Sequence, residues 1–579
     1  MKFIFFFANS KNSNQNFQNF AKMSKKLKKR IIKCFQLEGL TLSKKALLGV
    51  LSVLKSENDE EEAIRVMVKS LKARIDRDES RSSVIDVESI SQVVADLSKD
   101  SEDMAKDGLQ VFDAFDFPRL MWNTARKEFF LRPSRGRLHE NAKEKNQFLR
   151  DRFMLVRQRL MRNELFMAPA PGGIQRNFVE LTAIESLRGS SGRKYLLGML
   201  SELEEGSYSI EDLNAHIELD LSECKYHAGL FTLGSIILVE GEIVDDRFRV
   251  STMAFPPPEK REDTLRHMSN VKYLELAPGS QDYIHMRALE ERAEDTMFVV
   301  LSNVHLDKPR VMEKLEQMFD VFSESEVVPT AFVVTGNFMS RPFGHSNEDT
   351  KILTEHFDHL ANMISKYSKI RKGSQFIFVP GPSDPSTGHA NVLPRPAIPS
   401  IFTARLRQVL QNNVVFASNP CRIRFFTQEI VILRENVLHK MQRSSILKRK
   451  SSSSSTSSKK RQENNEDDQE SSKMDIEEEE EQQQEEEKVD ITDHLLKTVC
   501  DQSHLCPLPL ETRPVYWAHD HAMWLYPLPD LILFADNFDQ WSRCYDDCMA
   551  ANPGIFSTDF SFIVYRPTTK DVEFSRVDF

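Results

Sequence analysis

The sequence predicts a multidomain α+β protein with a helical N-terminal domain, an OB-type β-barrel and an α/β domain. Apolar residues recur at helical spacing up to residue 98, five short alternating segments crowd into 175–258, and apolar strands alternate with helical stretches from 295 onward. The chain's 579 residues leave room for several hydrophobic cores. Apolar residues make up 40% and charged residues 28%, which is ordinary globular usage. No uninterrupted apolar run approaches the ~18–20 residues of a membrane helix, so no membrane span is expected.

The N-terminal "MKFIFFFANS" has a short apolar stretch followed by an Asn/Ser/Lys-rich one. Its apolar part is shorter than a usual secretory core, and Met23 offers an alternative start, so 1–23 is set aside as an extension. Residues 24–98 read as four helices. Leu27, Ile31 and Phe35 form the first stripe, Leu47, Val50, Leu51 and Leu54 the second, Ile64, Met67, Val68, Leu71 and Ile75 the third, and Ile90, Val93, Val94 and Leu97 the last. Asn58-Asp59 and Asp86 are suitable N-terminal caps.

Residues 99–174 are charged and irregular up to a helical "NQFLRDRFMLVRQRLMRNELF", and read as a connector. Residues 175–290 hold the barrel, with strands in "KYLLGMLSEL", "SYSIED", "HIELDLS", "SIILVEGEIV" and "RFRVSTMAF". The segment 291–579 reads βαβαβ through "MFVVLS", "TAFVVTG" and "QFIFVPG", which calls for a doubly wound sheet with functional loops at the strand C-termini. Within it, 443–490 is an insert with almost no apolar residues and is expected to be disordered.

Net charge is −10, but the fifteen acidic and nine basic side chains from Arg443 to Asp490 leave only −4 for the rest. That balance neither demands nor excludes a nucleic-acid partner. Seven scattered cysteines, without CxxC or paired Cys/His spacing, suit reduced thiols in the cytosol or nucleus and do not read as a zinc site.

Four strand ends carry polar clusters. Asn303-Val304-His305 follows "MFVVLS", and Gly336-Asn337-Phe338-Met339-Ser340 ends the next strand. Gly381-Pro382-Ser383-Asp384 and Ala535-Asp536-Asn537-Phe538 close the other two. Their order and spacing resemble the series D-x-H, G-D-x-x-[DNS], G-N-H-[DE], a later His and G-H-x-H of calcineurin-like metallophosphoesterases. His504 in "SHLCPL" aligns with the later His. The chemistry is largely missing. Asn303 and Asn337 stand where two metals need carboxylates, Pro382 replaces an Asn ligand, Ser383 replaces the acid/base His, and Asp536 and Phe538 replace the last histidines. His305, Ser340 and Asp384 remain. Neutral amides leave about four positive charges of bound metal poorly compensated, so the fold is expected to be an inactive phosphoesterase with no metal or other cofactor. The "HDH" at 519–521 lacks ligand partners at suitable spacing and reads as structural, and no P-loop, GxGxxG or HExxH occurs.

A barrel followed by such a site resembles the B-subunits of replicative DNA polymerases. "GLFTLGSIILVEGEI", "FVPGPSDP", "NVLPRPAIP", "NPCRIRFFTQEIVILRENVLHKM" and "SHLCPLPLETRPVYWAHDHAMWLYPLPDLILFAD" are similar to the epsilon branch, and so is the extra helical domain. The alpha and delta branches are the nearest alternative, and a metal-dependent phosphodiesterase or nuclease is the alternative of another class. The resemblance implies a nuclear, non-catalytic subunit that docks on the C-terminal zinc module of the catalytic chain of polymerase epsilon. It also implies that 24–98 connects to the replicative helicase and its GINS complex. Contact with DNA is expected to be weak, because residues 201–250 carry twelve acidic and three basic side chains where a single-strand groove wants basic ones. Lys448-Arg449-Lys450 and Lys459-Lys460-Arg461 have bipartite spacing for nuclear import, or are solubilising charge.

Overall fold

The computed structural model describes residues 108–132, 137–167, 178–269, 271–344, 346–386, 391–447 and 490–577, with 31–36, 39–43, 46–47, 50, 68, 71 and 84–85 nearer the N-terminus. The extension 1–23, most of 24–98 and residues 448–489 of the insert lie outside the described residues. The chain divides into two units, Met1–Met104 and Ala105–Phe579.

In the first unit, residues 31–36 are helical and bury Ile31 and Phe35, while Val50, Val68 and Leu71 are buried helical positions. β1 (Thr41–Leu42) pairs in parallel with β2 (Val84–Ile85), a feature absent from the four-helix expectation.

The second unit corrects the connector. β3 (Leu109–Asp113) and the hairpin of β4 (Arg119–Asn123) and β5 (Glu128–Arg132) occupy its first part. α1 (Ala142–Leu160) follows, burying Phe148, Leu155, Val156 and Leu160, with Glu144 in its first turn and Arg157 and Arg159 in its last, as the helix dipole favours.

The barrel comprises β6 (Lys194–Glu204), β7 (Ser207–Glu211), β8 (His216–Asp220), the short β9 (Lys225–Tyr226), β10 (Ile236–Val244) and β11 (Arg247–Ala254). Each long strand falls in one of the five segments read from the sequence. The ring runs β6-β7-β8-β11-β10 and returns to β6, closed by a parallel β8–β11 pair through Leu219 and Phe248, which is OB topology. Leu196, Leu200, Ile210, Ile237, Val239, Phe248 and Val250 fill it. The barrel ends at Ala254, and the short helices Arg261–His267 and Gln281–Glu290 follow within the range expected to belong to it.

Two six-stranded sheets build the rest. The first orders β15 (Val414–Phe416), β14 (Gln375–Val379), β13 (Ala331–Thr335) and β12 (Phe298–Leu301) in parallel, then β21 (Ser561–Arg566) and β22 (Asp571–Arg576) antiparallel. The second orders β19 (Trp541–Tyr545), β20 (Cys548–Asn552), β18 (Leu531–Phe534), β17 (Gln428–Leu433), β16 (Cys421–Phe425) and then β3. Helices α2 (Pro309–Glu324), α3 (Asn347–Ser365) and α4 (Ser400–Leu410) pack on one face of the first sheet against Leu301, Phe332, Phe376 and Phe378. Its other face, with Phe298, Val300, Val333 and Ile377, meets Ile423, Phe425, Ile430 and Leu531 of the second sheet. A doubly wound sheet has helices on both faces, so that expectation is corrected. Strands apolar on both sides are satisfied equally well by a second sheet.

After β17 comes α5 (Val437–Ser444), and past the insert comes α6 (Ile491–Asp501). Both lean on one barrel loop. The Gln502 side chain accepts from the Ile236 nitrogen and donates to its oxygen, both at 2.7 Å. His494 Nδ1 accepts from the Gly229 nitrogen and Thr498 Oγ1 from the Leu230 nitrogen, each at 2.8 Å. From the other side, Ser445 bridges to Thr232, the Ile446 nitrogen donates to the Phe231 oxygen at 2.9 Å, and Ile446 and Leu447 pack on the barrel core. Residues 443–447 are therefore part of the fold and not of a disordered insert. At the far end Asp490 caps α6.

Candidate functional site

Parallel strands deliver their following residues to one edge of a sheet, and here they bring the first polar clusters together. Asn303 stands two residues past the end of β12 and has a positive φ of 56°. Its side chain is buried, donating from Nδ2 to Asn537 Oδ1 at 2.6 Å. Its own Oδ1 accepts 2.6 Å from the guanidinium of Arg434, the residue after β17.

Arg434 is fully buried and commits all five of its N–H groups. Nε donates to the Gly336 oxygen, one terminal nitrogen to Ala535 oxygen at 2.9 Å and Asn436 Oδ1 at 3.2 Å, and the other to Asn303 and, at 3.1 Å, Asn537. It thus ties the ends of β12, β13 and β18, the edge where a two-metal phosphoesterase would assemble its ligands. Burial depresses its pKa, with Glu435, Asp536 and Asp384 opposing that shift.

The second and third clusters clasp each other. Asn337 Oδ1 accepts from the Ser383 nitrogen at 2.9 Å, and Asp384 accepts from the nitrogens of Phe338 and Gly381 at 2.8 and 2.7 Å. Burial pushes the Asp384 carboxyl up despite those bonds. Gly336 has no room for a side chain, since a Cβ there would lie 2.6 Å from the Gly381 nitrogen and closer to Asp384 Oδ2. Ser340 is exposed and bonded to Asp307, and Pro382 is half-buried in the loop. Half-buried His305 keeps Nδ1 buried without a partner among the described residues. Burial, then Lys308 and Arg434 nearby, hold it down to about 4.

The remaining positions differ in placement. Asp536 is buried and accepts from the Leu438 nitrogen at 2.9 Å, holding the start of α5, and burial raises its pKa. Phe538 is 38% exposed. His504 is fully buried in a separate network, facing Asp520 at 3.3 Å and accepting from the Cys506 nitrogen at 3.0 Å. Asp520 also takes Arg152 Nε and Trp524 Nε1, both at 2.9 Å, so His504 is not among the hydrogen-bonding partners of the strand-end cluster. Among the described residues no group of three or more His, Cys, Asp or Glu side chains could hold a metal ion. A cation already stands at this edge, and amides face it, so the residues do not fit a two-metal centre.

Two family models match the chain. The model for the B-subunit of DNA polymerases alpha and epsilon covers residues 298–543, and "DNA polymerase epsilon subunit 2-like, OB-fold domain" covers 142–257. The DNA polymerase epsilon B-subunit of Arabidopsis thaliana is 35% identical over 95% of this chain and 98% of its own length. DNA polymerase epsilon subunit 2 of Homo sapiens is 32% identical over 95% of this chain and 99% of its own. The DNA polymerase epsilon B-subunit of Schizosaccharomyces pombe is 33% identical over 80% and 75%. The chain belongs to the DNA polymerase epsilon B-subunit family.

In this member of the epsilon B-subunit family, the residues that matter most at the strand ends carry no hydrolytic signature in the sequence. Arg434 lies inside the string "REN", which matches no motif of hydrolytic chemistry. Asn537, the neighbour of Asp536, accepts from both Asn303 and Arg434. Of the two strand-end amides singled out in the sequence, Asn303 accepts from Arg434 and Asn337 from the Ser383 nitrogen. The OB match starts at 142, so α1 belongs with the epsilon-type barrel and not with a connector.

Proposed function

We propose that this chain is a non-catalytic accessory subunit of DNA polymerase epsilon, with a calcineurin-like phosphoesterase fold that has lost its metals. The observation that carries this reading is the Arg434 guanidinium, bonded to Asn303, Asn537 and the Gly336 and Ala535 carbonyls at the edge where hydrolytic metals would sit. A buried cation there repels divalent metals and leaves no carboxylate pair to bridge them. The relatives named as polymerase epsilon subunits support the placement in that complex.

In this reading the barrel and the sandwich hold the C-terminal zinc module of the catalytic subunit. The N-terminal unit links to the replicative helicase through GINS, and the site of action is the nucleus. The barrel's acidic excess favours protein contact over single-stranded DNA. Co-expression with the catalytic subunits of polymerases epsilon, alpha and delta tests it. Selective, stoichiometric co-purification with the epsilon chain, through its C-terminal module, is the expected result. Retention by the alpha or delta chain instead would overturn the branch, and manganese-dependent phosphodiester hydrolysis by the purified chain would overturn the loss of activity.

A further inference from the structure

Beside the strand-end cluster, three cations converge on one buried carboxylate. Glu435 faces Lys440 Nζ at 2.7 Å, Arg395 at 3.4 Å and Arg513 closer still. Arg395 and Arg513 are buried, and the Lys440 side chain is 28% exposed. Burial would raise the Glu435 carboxyl, but Arg513, Arg395 and Lys440 hold it at about 2, and with Arg434, Asp384 and Asp536 nearby the neighbourhood holds four cations to three carboxyl groups. Like charges brought together out of water are costly unless further counter-charge is supplied.

Donors are left over as well. Arg513 Nε is buried with no hydrogen-bond partner among the described residues. Lys440 has three N–H groups, and the hydrogen bond it makes goes to Glu435. Ser444, one helical turn beyond Lys440 on α5, and Thr512, the residue before Arg513, have hydroxyls 3.4 Å apart, and Thr512 is exposed. Cys506 beside these cations has its thiol pushed up to about 12 by burial, so it adds no negative charge at neutral pH. Glu511, the residue before Thr512, is exposed and is a carboxylate in the sequence next to that pair.

We propose that Arg513, Lys440 and the Ser444–Thr512 mouth bind a small tetrahedral oxyanion of the phosphate type. A guanidinium edge, an ammonium and two hydroxyls supply the donors such an anion takes, and its charge offsets the surplus around Glu435.

The test is titration of the full chain with inorganic phosphate at constant ionic strength, followed by phosphorus NMR line broadening and by the thermal midpoint. Saturable binding is expected, weakened about tenfold in Lys440→Ala and kept in Lys440→Arg, as loss of one charge-assisted hydrogen bond implies. Phosphate that broadens without saturation, or that binds Lys440→Ala as tightly as the parent chain, would overturn the proposal. Because Lys440 is partly exposed, both variants are expected to fold. The parent titration alone decides the first arm.

Discussion

Arg434 donates to Asn303 Oδ1 at 2.6 Å, so the amide beyond the end of β12 is a partner of a buried cation. Restoring the acid with Asn303→Asp and Asn337→Asp gives Arg434 a carboxylate to pair with and does not vacate room for metals. The double variant is expected to show no manganese-dependent hydrolysis of a bis-aryl phosphodiester. Turnover rising with added metal would contradict that. Arg434→Met removes the cation and the hydrogen bonds to the Gly336 and Ala535 carbonyls and to the amide oxygens of Asn303, Asn436 and Asn537. A loss of about 3–5 kcal/mol in urea unfolding is expected.

His504 makes stability depend on pH. Its folded pKa is held near 4 by burial first and then by Arg152, against an ordinary 6.5. The unfolded chain therefore takes up a proton first, and stability is expected to fall as pH drops from about 6.5 toward 4. One ring nitrogen of the buried imidazole accepts from the Cys506 nitrogen. Between pH 7.5 and 5 the loss from this residue is on the order of 2 kcal/mol. His521, also held near 4 by burial, adds to it. His504→Gln should flatten the slope of unfolding midpoint against pH, and an unchanged slope would place the proton uptake elsewhere.

The insert can be cut at one place and not at another. Removing 448–489 with a short Gly/Ser link should leave the thermal midpoint and binding to the polymerase's catalytic chain within error of the intact protein. Removing 443–490 takes away Ser445, Ile446 and Leu447 from the barrel and the Asp490 cap from α6, and should lower the midpoint by several degrees. Equal stability of the two deletions would show those contacts to be idle.

Gly336→Ala is expected to be among the most damaging single changes in the body. The added Cβ meets Asp384 and the Gly381 backbone, neither of which can retreat without breaking the clasp between the second and third loops. A loss of about 3 kcal/mol or more, or insoluble protein, is the expected outcome in expression and unfolding assays.

The barrel was legible because its signal is local: alternation along each strand and a turn between neighbours. The strands of the first sheet were legible as apolar runs, but what covers them was not. Val299 and Val300 point to opposite faces with equal hydrophobicity, so helices and a second sheet read alike in the sequence. β3 was missed because its partner β16 lies far along the chain and its own residues are only half-buried. Spacing singled out Asn303 and Asn337 as strand-end residues, and both side chains take part in the bonds that join those ends. Spacing also singled out His504, which lies buried beside Asp520, a partner that no local pattern announces. Arg434 escaped because the motif series has no slot for a cation.

The order in which the pieces leave the ribosome is unfavourable to them. β3 emerges before the strand it pairs with, and the nitrogen of Ala114 just after it waits for a hydroxyl, that of Ser418, 304 residues downstream. The barrel, though complete by Ala254, leaves the Gly229, Leu230 and Ile236 nitrogens unmatched until α6 and Gln502 arrive about 265 residues later. β12, near the middle of its sheet, lacks one neighbour until β21 is made, close to the last residue. Such long-range closures make folding slow and leave unpaired backbone waiting. A chain stopped short of β21 leaves the inner edge of β12 open, so the C-terminal hairpin of β21 and β22 is what closes the first sheet.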